Sequence, residues 1–420
     1  MSGPVSASAA ARRPSAPTPG RRGLLAGGIA VSAAPFVVGH STAEAAGPAG
    51  RPSPAGAAGT WSRLPDLPPN RVDWHPAAPV GKSYWTQLGL AGPIAGSHRG
   101  HLLVGGGANF PEPALTSNRP TTLGKVYWNE LFVLRPGATR WSDPIRLPDA
   151  IAYPACVSTP YGVLVIGGEG FRGGPSGTGL APAQKFADVF LLRADGTRSA
   201  LPDLPRPMSY AVAGLLGSTV FVAEGPDFFS LDLARPDRGW TALPPWPGPP
   251  RSVAVGVAAD GRFHLLSGRA QLPDKSWRFY TDVYAYDPRR ARWSRLPDLP
   301  FCVTAGLAHP TRGGFLVLGG DKDLARWNLI QHHTALRDAA PPGSPTWTEH
   351  NNVITWTYDH HTGFNPEILQ YTAGRWKVVG HFPGPPQVTT PAVPHANGLA
   401  VLTGEIRPGV RTATNWHFRP

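Results

Sequence analysis

One pattern recurs along most of this chain and limits what the chain can fold into. Two short apolar runs come first, the second ending at a glycine pair. A third run holds an aromatic residue, a fourth opens on tryptophan, and a Leu-Pro step ends the unit. The pairs are Gly105-Gly106, Gly167-Gly168 and Gly319-Gly320, with weaker versions at Ala223-Glu224, Ser267-Gly268 and Thr403-Gly404. The tryptophans are Trp61, Trp141, Trp240, Trp293 and Trp376, while Thr197-Arg198-Ser199-Ala200 fills a sixth slot without one. Leu-Pro follows at Leu64, Leu147, Leu201, Leu243 and Leu296. A unit of roughly 40–50 residues with four short strands cannot bury its apolar face alone and must stack on copies of itself. The 50 glycines, 50 prolines and 16% charged residues agree with an all-β chain rich in turns.

The glycine pair with a late tryptophan resembles the kelch type of β-propeller. Counting pairs predicts six blades, beginning near residues 92, 150, 207, 250, 301 and 387. The sixth has three strands before Pro420, and its fourth is expected from Thr60-Trp61-Ser62-Arg63-Leu64-Pro65, so that an N-terminal strand closes the ring. Closure removes the two edges that an open wheel would expose. The propeller is therefore expected over 60–420, with an insertion at 321–364. In that insertion Leu324, Trp327 and Leu336 fall on one side of a short helix. A connection this long is usually functional or disordered, and a lid over the central channel is one reading.

Residues 1–58 read as lying outside the fold. Arg21-Arg22, the apolar run from Gly23 to Val31 and a small-residue site at Ala43-Glu44-Ala45 resemble a twin-arginine export signal over 1–45, followed by a linker over 46–59. The run is short and interrupted by Pro35, which argues against a membrane anchor. A periplasmic or secreted protein is expected.

The formal charge is +12, almost all from arginine, without a Lys/Arg block of the kind that grips nucleic acid. An Arg-rich compositional bias accounts for that charge, and a general attraction for anionic small molecules is compatible with it. Cys156 and Cys302 match no zinc spacing and read as buried free thiols. His332, His333, His350, His360 and His361 cluster in the insertion without an HExxH spacing, so no metal is assigned. Gly105-Gly106-Gly107 is not followed by lysine and is not a phosphate loop. No cofactor is expected.

The positions just after the glycine pairs are Gly107, Glu169, Gly225, Arg269, Asp321 and Glu405. Four of these six are charged in a chain poor in charge, and blades converge on an axis. Either they ring the mouth of a ligand site or they are solvated loop residues. Among them Glu405 stands out. It lies in Thr403-Gly404-Glu405-Ile406-Arg407-Pro408-Gly409-Val410-Arg411-Thr412, a turn between two strands that presents one carboxylate with two guanidiniums. A carboxylate beside arginine is suited to acid/base work on a substrate whose own carboxylate the arginine fork holds. The same residues also suit a structural ion pair.

Gly404-Glu405-Ile406-Arg407-Pro408-Gly409-Val410-Arg411-Thr412 resembles the Gly-Glu-x-Lys/Arg-Pro-Gly-x-Arg-Thr motif of the bacterial N-acetylneuraminate epimerases, which are sialic acid mutarotases. Gly89-Leu90-Ala91-Gly92-Pro93-Ile94-Ala95-Gly96, then Val104-Gly105-Gly106-Gly107-Ala108-Asn109-Phe110-Pro111, resembles a second motif of that family. Ala152-Tyr153 and Ile166-Gly167-Gly168-Glu169 match the next blade. The two motifs stand in the opposite order from the enzyme first known, as in a cyclically permuted branch; a closed ring tolerates a new starting blade. The resemblance implies Glu405 as proton acceptor, Arg411 as its essential partner and Arg251 as a substrate contact; Arg407, Glu169 and Asn109 are further candidate substrate contacts. It implies a small acidic sugar as substrate. The alternative is a kelch propeller that binds carbohydrate or protein without turnover.

Overall fold

The computed structural model describes residues 59–71, 89–110, 125–174, 176–177 and 183–420. The export-signal expectation, the linker expectation apart from Gly59, and Pro111 lie outside the described residues. The chain is mainly β. Among the described residues, five antiparallel sheets of four strands and one of six, built on four equivalent strands, follow one another along the sequence. The first contains Ala91–His98, His101–Asn109, Glu130–Leu134 and Ile145–Arg146. The sixth contains Ala392–His395, Gly398–Leu402, Asn415–Arg419 and, as its outer strand, Thr60–Leu64. Thr60–Leu64 runs antiparallel to Asn415–Arg419, with Trp61 opposite Phe418. The Trp61 ring lies 4.6 Å from that of Phe418 and 4.8 Å from that of Phe382. The two ends of the repeat thus share one sheet and one aromatic cluster.

First strands of consecutive sheets are neighbours, and that of the sixth returns to that of the first. At the entry to each first strand stands one residue with left-handed backbone: Gly92 (φ 58), Tyr153 (φ 55), Tyr210 (φ 60), Val253 (φ 46), Ala305 (φ 60) and Thr389 (φ 55). Five backbone hydrogen bonds link them in order around the axis. Tyr153 N–H donates to Gly92 (2.7 Å), Tyr210 to Tyr153 (3.0 Å), Ala305 to Val253 (2.8 Å), Thr389 to Ala305 (3.0 Å) and Gly92 to Thr389 (2.7 Å). The left-handed turn aims each N–H sideways at the next sheet instead of along its own strand. β-branched residues resist that conformation, so Val253 and Thr389 hold it because their neighbours determine it.

The repeated tryptophans also acquire a physical meaning. Trp141 Nε1 donates to the Pro65 carbonyl (2.9 Å), Trp240 to Pro202 (2.8 Å), Trp293 to Pro244 (2.8 Å) and Trp376 to Pro297 (2.9 Å). Each bond runs from the fourth strand of one sheet, or from the segment leading into it, to the Leu-Pro step of the sheet before it. The indole fills the space between sheets and satisfies its one polar atom there.

Glycine pairs follow the second strands because the chain turns left-handed where another backbone comes close. A Cβ on Gly404 would lie 2.7 Å from the Val388 carbonyl oxygen. In the first sheet the left-handed pair is Gly106 and Gly107 (φ 56 and 77), one residue later than expected, because three successive glycines hide the register. Gly105 stays in its strand opposite Leu131. In the third sheet Ala223-Glu224 also remains in its strand, and Gly225 (φ 62) alone makes the turn. Ser267 and Thr403 keep the left-handed turn (φ 55 and 49) with a hydroxyl as compensation. Ser267 Oγ accepts from Val303 N–H (2.8 Å), and Thr403 Oγ1 from Leu90 N–H (2.7 Å).

The insertion differs from the single short helix expected. It is a hairpin of two helices, α1 (Leu324–Ala339) and α2 (Pro345–Asp359). Asp323 caps α1 by accepting from Arg326 N–H, and Ser344 caps α2 ahead of Pro345. Ile330, Ile354 and Tyr358 form the buried seam. Leu336, expected on the packed face, is 39% exposed. No helix among the described residues is long and apolar enough to cross a membrane. Both cysteines are free thiols.

Candidate active site

The ring of left-handed residues divides the axial space. On one side, small first-strand residues line a cavity of about 180 Å³; on the other lies a cavity of about 560 Å³ that holds the charge. Tyr153, Tyr210, Val253, Ala305 and Thr389 border both. Strand pairing brings the charges there. Glu169 pairs with Ala152, Arg269 with Ser252, Asp321 with Thr304 and Glu405 with Val388. In each case the partner immediately precedes a ring residue. The charge that follows each glycine turn is therefore delivered next to the axis. Arg269, Asp321 and Glu405 line the larger cavity directly.

Glu405 and Arg411 are opposite residues of a small hairpin, Glu405–Arg407 with Val410–Arg411. Gly409 (φ 84) makes its turn, and Gly409 N–H donates to Glu405 Oε1 (3.0 Å). Thr389 Oγ1 donates to Glu405 Oε2 (3.2 Å). Arg411 Nη1 lies 3.3 Å from Oε1, an ion pair, yet its geometry is too oblique for a hydrogen bond. The Arg411 guanidinium rests 4.6 Å above the Phe110 ring. Arg411 is 6% exposed, and its Nε and Nη1 are buried without an acceptor among the described residues. Buried donors of this kind are costly unless something supplies acceptors.

The other expected residues take different places. Glu169 sits behind the lining. Its carboxylate accepts from Tyr127 Oη (2.8 Å), Tyr210 Oη (3.3 Å) and Ser209 Oγ (3.2 Å), and Lys125 Nζ lies 3.3 Å away. Tyr210 and Lys125 themselves face the cavity, so Glu169 orients them. Burial first, then neighbouring negative groups, push the Tyr210 and Tyr127 hydroxyls well above the ordinary tyrosine range, and both stay protonated donors. Arg407 is turned to the insertion, where its Nη1 donates to the Asp359 carbonyl (2.8 Å). Asn109 is 1% exposed and bridges backbone and core, donating to the Gly89 carbonyl (3.1 Å) and accepting from Trp128 Nε1 (2.8 Å).

Arg251 is fully engaged in a buried bidentate pair with Asp282, and it also donates to the Ser267 carbonyl (3.0 Å). Neither Arg407, Asn109 nor Arg251 lines the cavity. The histidines of the insertion yield one close pair, His333 and His350, with Nδ1 atoms 3.2 Å apart. No group of three or more metal-binding side chains occurs among the described residues.

Residues that were not expected as site residues complete the wall. Tyr153 and Tyr210 stack at 4.2 Å. Trp327 and Tyr358 come from α1 and α2, so the helical hairpin supplies part of the lining. Trp327 carried the one usable signal, an aromatic on the predicted helix.

Fold and cavity define a mainly-β protein of four-stranded antiparallel sheets that concentrates a carboxylate and unsatisfied guanidiniums at its axis. The model of the N-acetylneuraminate epimerase family matches residues 201–419, and the chain belongs to that family. It is 28% identical over 227 residues to the N-acetylneuraminate epimerase of Yersinia enterocolitica serotype O:8, covering 51% of this chain and 56% of the relative. It is 26% identical over 220 residues to that of Haemophilus influenzae strain 86-028NP, covering 50% and 57%. The matched stretch thus spans a little over half the length of these relatives. The solved structure of YjhT is similar in fold, with a TM-score of 0.54 at 13% identity, covering 84% of this chain and 96% of that one.

Proposed function

We propose that this chain is a six-bladed kelch-type propeller that interconverts the anomers of an acidic sugar such as N-acetylneuraminate. The observation that carries the reading is the Glu405–Arg411 pair in the 560 Å³ cavity, a volume in the range of small-ligand sites. Glu405 accepts the proton of the anomeric hydroxyl. The bond from the anomeric carbon to the ring oxygen breaks, and the proton is returned to that oxygen. Both oxygens start on one carbon, so a single carboxyl serves both transfers. The open keto acid rotates about the adjacent carbon–carbon bond, and the reverse steps close the ring on the other carbonyl face. Arg411, ion-paired with Glu405, stabilises the oxyanion that forms during opening.

Gly409 N–H and Thr389 Oγ1 fix the orientation of the carboxylate. General acid/base help of about 10²–10⁴-fold is enough for a reaction that already proceeds in water. The half-length match to the relatives fits a permuted blade order, because a linear alignment follows only one of two exchanged segments. On the pattern around Arg21-Arg22 we extend the proposal to an exported protein.

The test starts from a single sialic acid anomer and follows its equilibration by proton NMR. Wild type is expected to accelerate the approach to equilibrium, and Glu405→Gln to return it to the uncatalysed rate. Equal rates with both proteins reject the assignment. Tight sugar binding without any acceleration by wild type favours a carbohydrate-binding propeller.

A further inference from the structure

Arg269 faces the same cavity in a setting that the Glu405–Arg411 chemistry does not explain. Its guanidinium carbon lies 4.4 Å from the ring centre of Trp277 and 4.3 Å from that of Trp327. It makes no side-chain hydrogen bond or ion pair among the described residues, and its Nε is buried without an acceptor. Asp321, a carboxylate on the same cavity wall, is already engaged, since it accepts from Trp327 Nε1 and from Asp323 N–H (2.9 Å). The two indoles, inclined at 69° to each other, cover the guanidinium from two directions and offer it no acceptor, and Arg269 lines the cavity.

The clamp is built deliberately. Trp277 belongs to a strand that pairs with that of Arg269, Trp277 lying opposite Gln271. Trp327 belongs to α1, and the next residue ties the two together: Asn328 Oδ1 accepts from Trp277 N–H (2.7 Å) while its Nδ2 donates to the Trp277 carbonyl (3.3 Å). A flat cation with fixed orientation and unfilled edge donors suits a planar anion that accepts two parallel hydrogen bonds. Arg407, the other candidate for that task, is occupied by the Asp359 carbonyl.

We propose that Arg269 is the anchor for the substrate carboxylate, and that it separates acidic from neutral sugars. The inference rests on the sugar-acid reading above and deepens it. In a 2-keto sugar acid the carboxylate and the reacting hydroxyl share one carbon, so anchor and base must face a common point. Burial depresses the Arg269 pKa, and the negative charges of Asp321 and Glu405 oppose that, which places Glu405 within electrostatic reach. The helical hairpin thereby becomes part of specificity, because it contributes one of the two indoles.

The experiment titrates wild type, Arg269→Met and Arg269→Lys with N-acetylneuraminate and with its methyl ester, and measures anomer exchange on both. For the acid, Arg269→Met is expected to weaken binding about 10²-fold, the worth of a charge-assisted pair of bonds. KM should rise while kcat is largely kept, and Arg269→Lys should fall between. For the ester, which has no carboxylate charge, the three proteins should bind alike. Equal losses for acid and ester, no loss for either, or no binding of the acid by wild type overturns the proposal.

The two readings separate cleanly. Arg269-dependent binding without catalysed exchange keeps the anchor and removes the mutarotase; catalysed exchange indifferent to Arg269 does the reverse. Far-ultraviolet circular dichroism and the thermal midpoint monitor folding, and Arg269→Gln replaces the methionine variant if that one fails to fold.

Discussion

At the scale of single residues, burial separates arginines that look alike in sequence. Arg251 and Arg411 both follow a Gly or Pro turn, and both are buried, but their donors differ. Those of Arg251 are satisfied by Asp282 and backbone carbonyls, whereas two of Arg411's are not. Replacing Arg251 by Met should therefore cost about 3–5 kcal/mol of stability, because it strands the Asp282 carboxylate in a largely buried site. Chemical denaturation measures that loss, and anomer exchange by the folded fraction should stay near wild type. A stable variant with lost exchange would restore Arg251 as a substrate contact. Glu405 and Arg411 were legible because a short hairpin holds them opposite each other, so local spacing carries the geometry. Arg251, Asn109 and Arg407 are instead drawn away from the cavity by distant partners. Their partners, Asp282, Trp128 and Asp359, are 31, 19 and 48 residues away, and no local pattern signals such pairings.

At the scale of elements, the Trp and Leu-Pro signals that define the repeat turn out to be one contact seen from two sides. The indole of one sheet donates to the proline carbonyl of the sheet before it. Trp293→Phe keeps an aromatic ring in the Phe228–Phe263–Tyr286 cluster and removes the donor to Pro244. It should lower stability by about 1–2 kcal/mol, read as a fall in Tm with no change in the far-ultraviolet spectrum. An unchanged Tm would mean that the bond between sheets contributes nothing. The strand run Thr60–Leu64 was readable for the same reason, since it carries both halves of the signal. The helical hairpin was only half readable. Asp323 and Ser344-Pro345 are cap signals, but the seam of Ile330, Ile354 and Tyr358 needs two helices to be recognised.

At the scale of the molecule, closure does two things. The left-handed ring ties neighbouring first strands to one another, and the strand pairings next to it bring Arg269, Asp321 and Glu405 to a common cavity. The ring residues differ in type, from glycine to tyrosine, so backbone conformation rather than side chain defines the position, and sequence patterns miss it. Burial of histidines makes the assembly acid-sensitive. Desolvation depresses His264 and His309 to about 4, below the ordinary 6.5. Between those values the unfolded chain binds protons that the folded chain refuses, so stability is fully present above pH 6.5 and declines as pH falls toward 4. For His264 alone the decline amounts to about 3 kcal/mol at about 1.4 kcal/mol per pH unit. Urea midpoints from pH 7 to 4 should fall for wild type and fall less for His264→Asn; parallel slopes would contradict that assignment.

On the mechanism proposed above, the axial cavity lets one carboxyl, Glu405, move a proton at a sugar's anomeric carbon. Magnetisation-transfer NMR on sialic acid at equilibrium, with wild type or Glu405→Gln at saturating substrate, tests it most directly. Exchange between the two anomeric resonances should be strong with wild type and absent with Glu405→Gln, while line broadening shows that the variant still binds. Undiminished exchange with a bound Glu405→Gln protein would contradict the account.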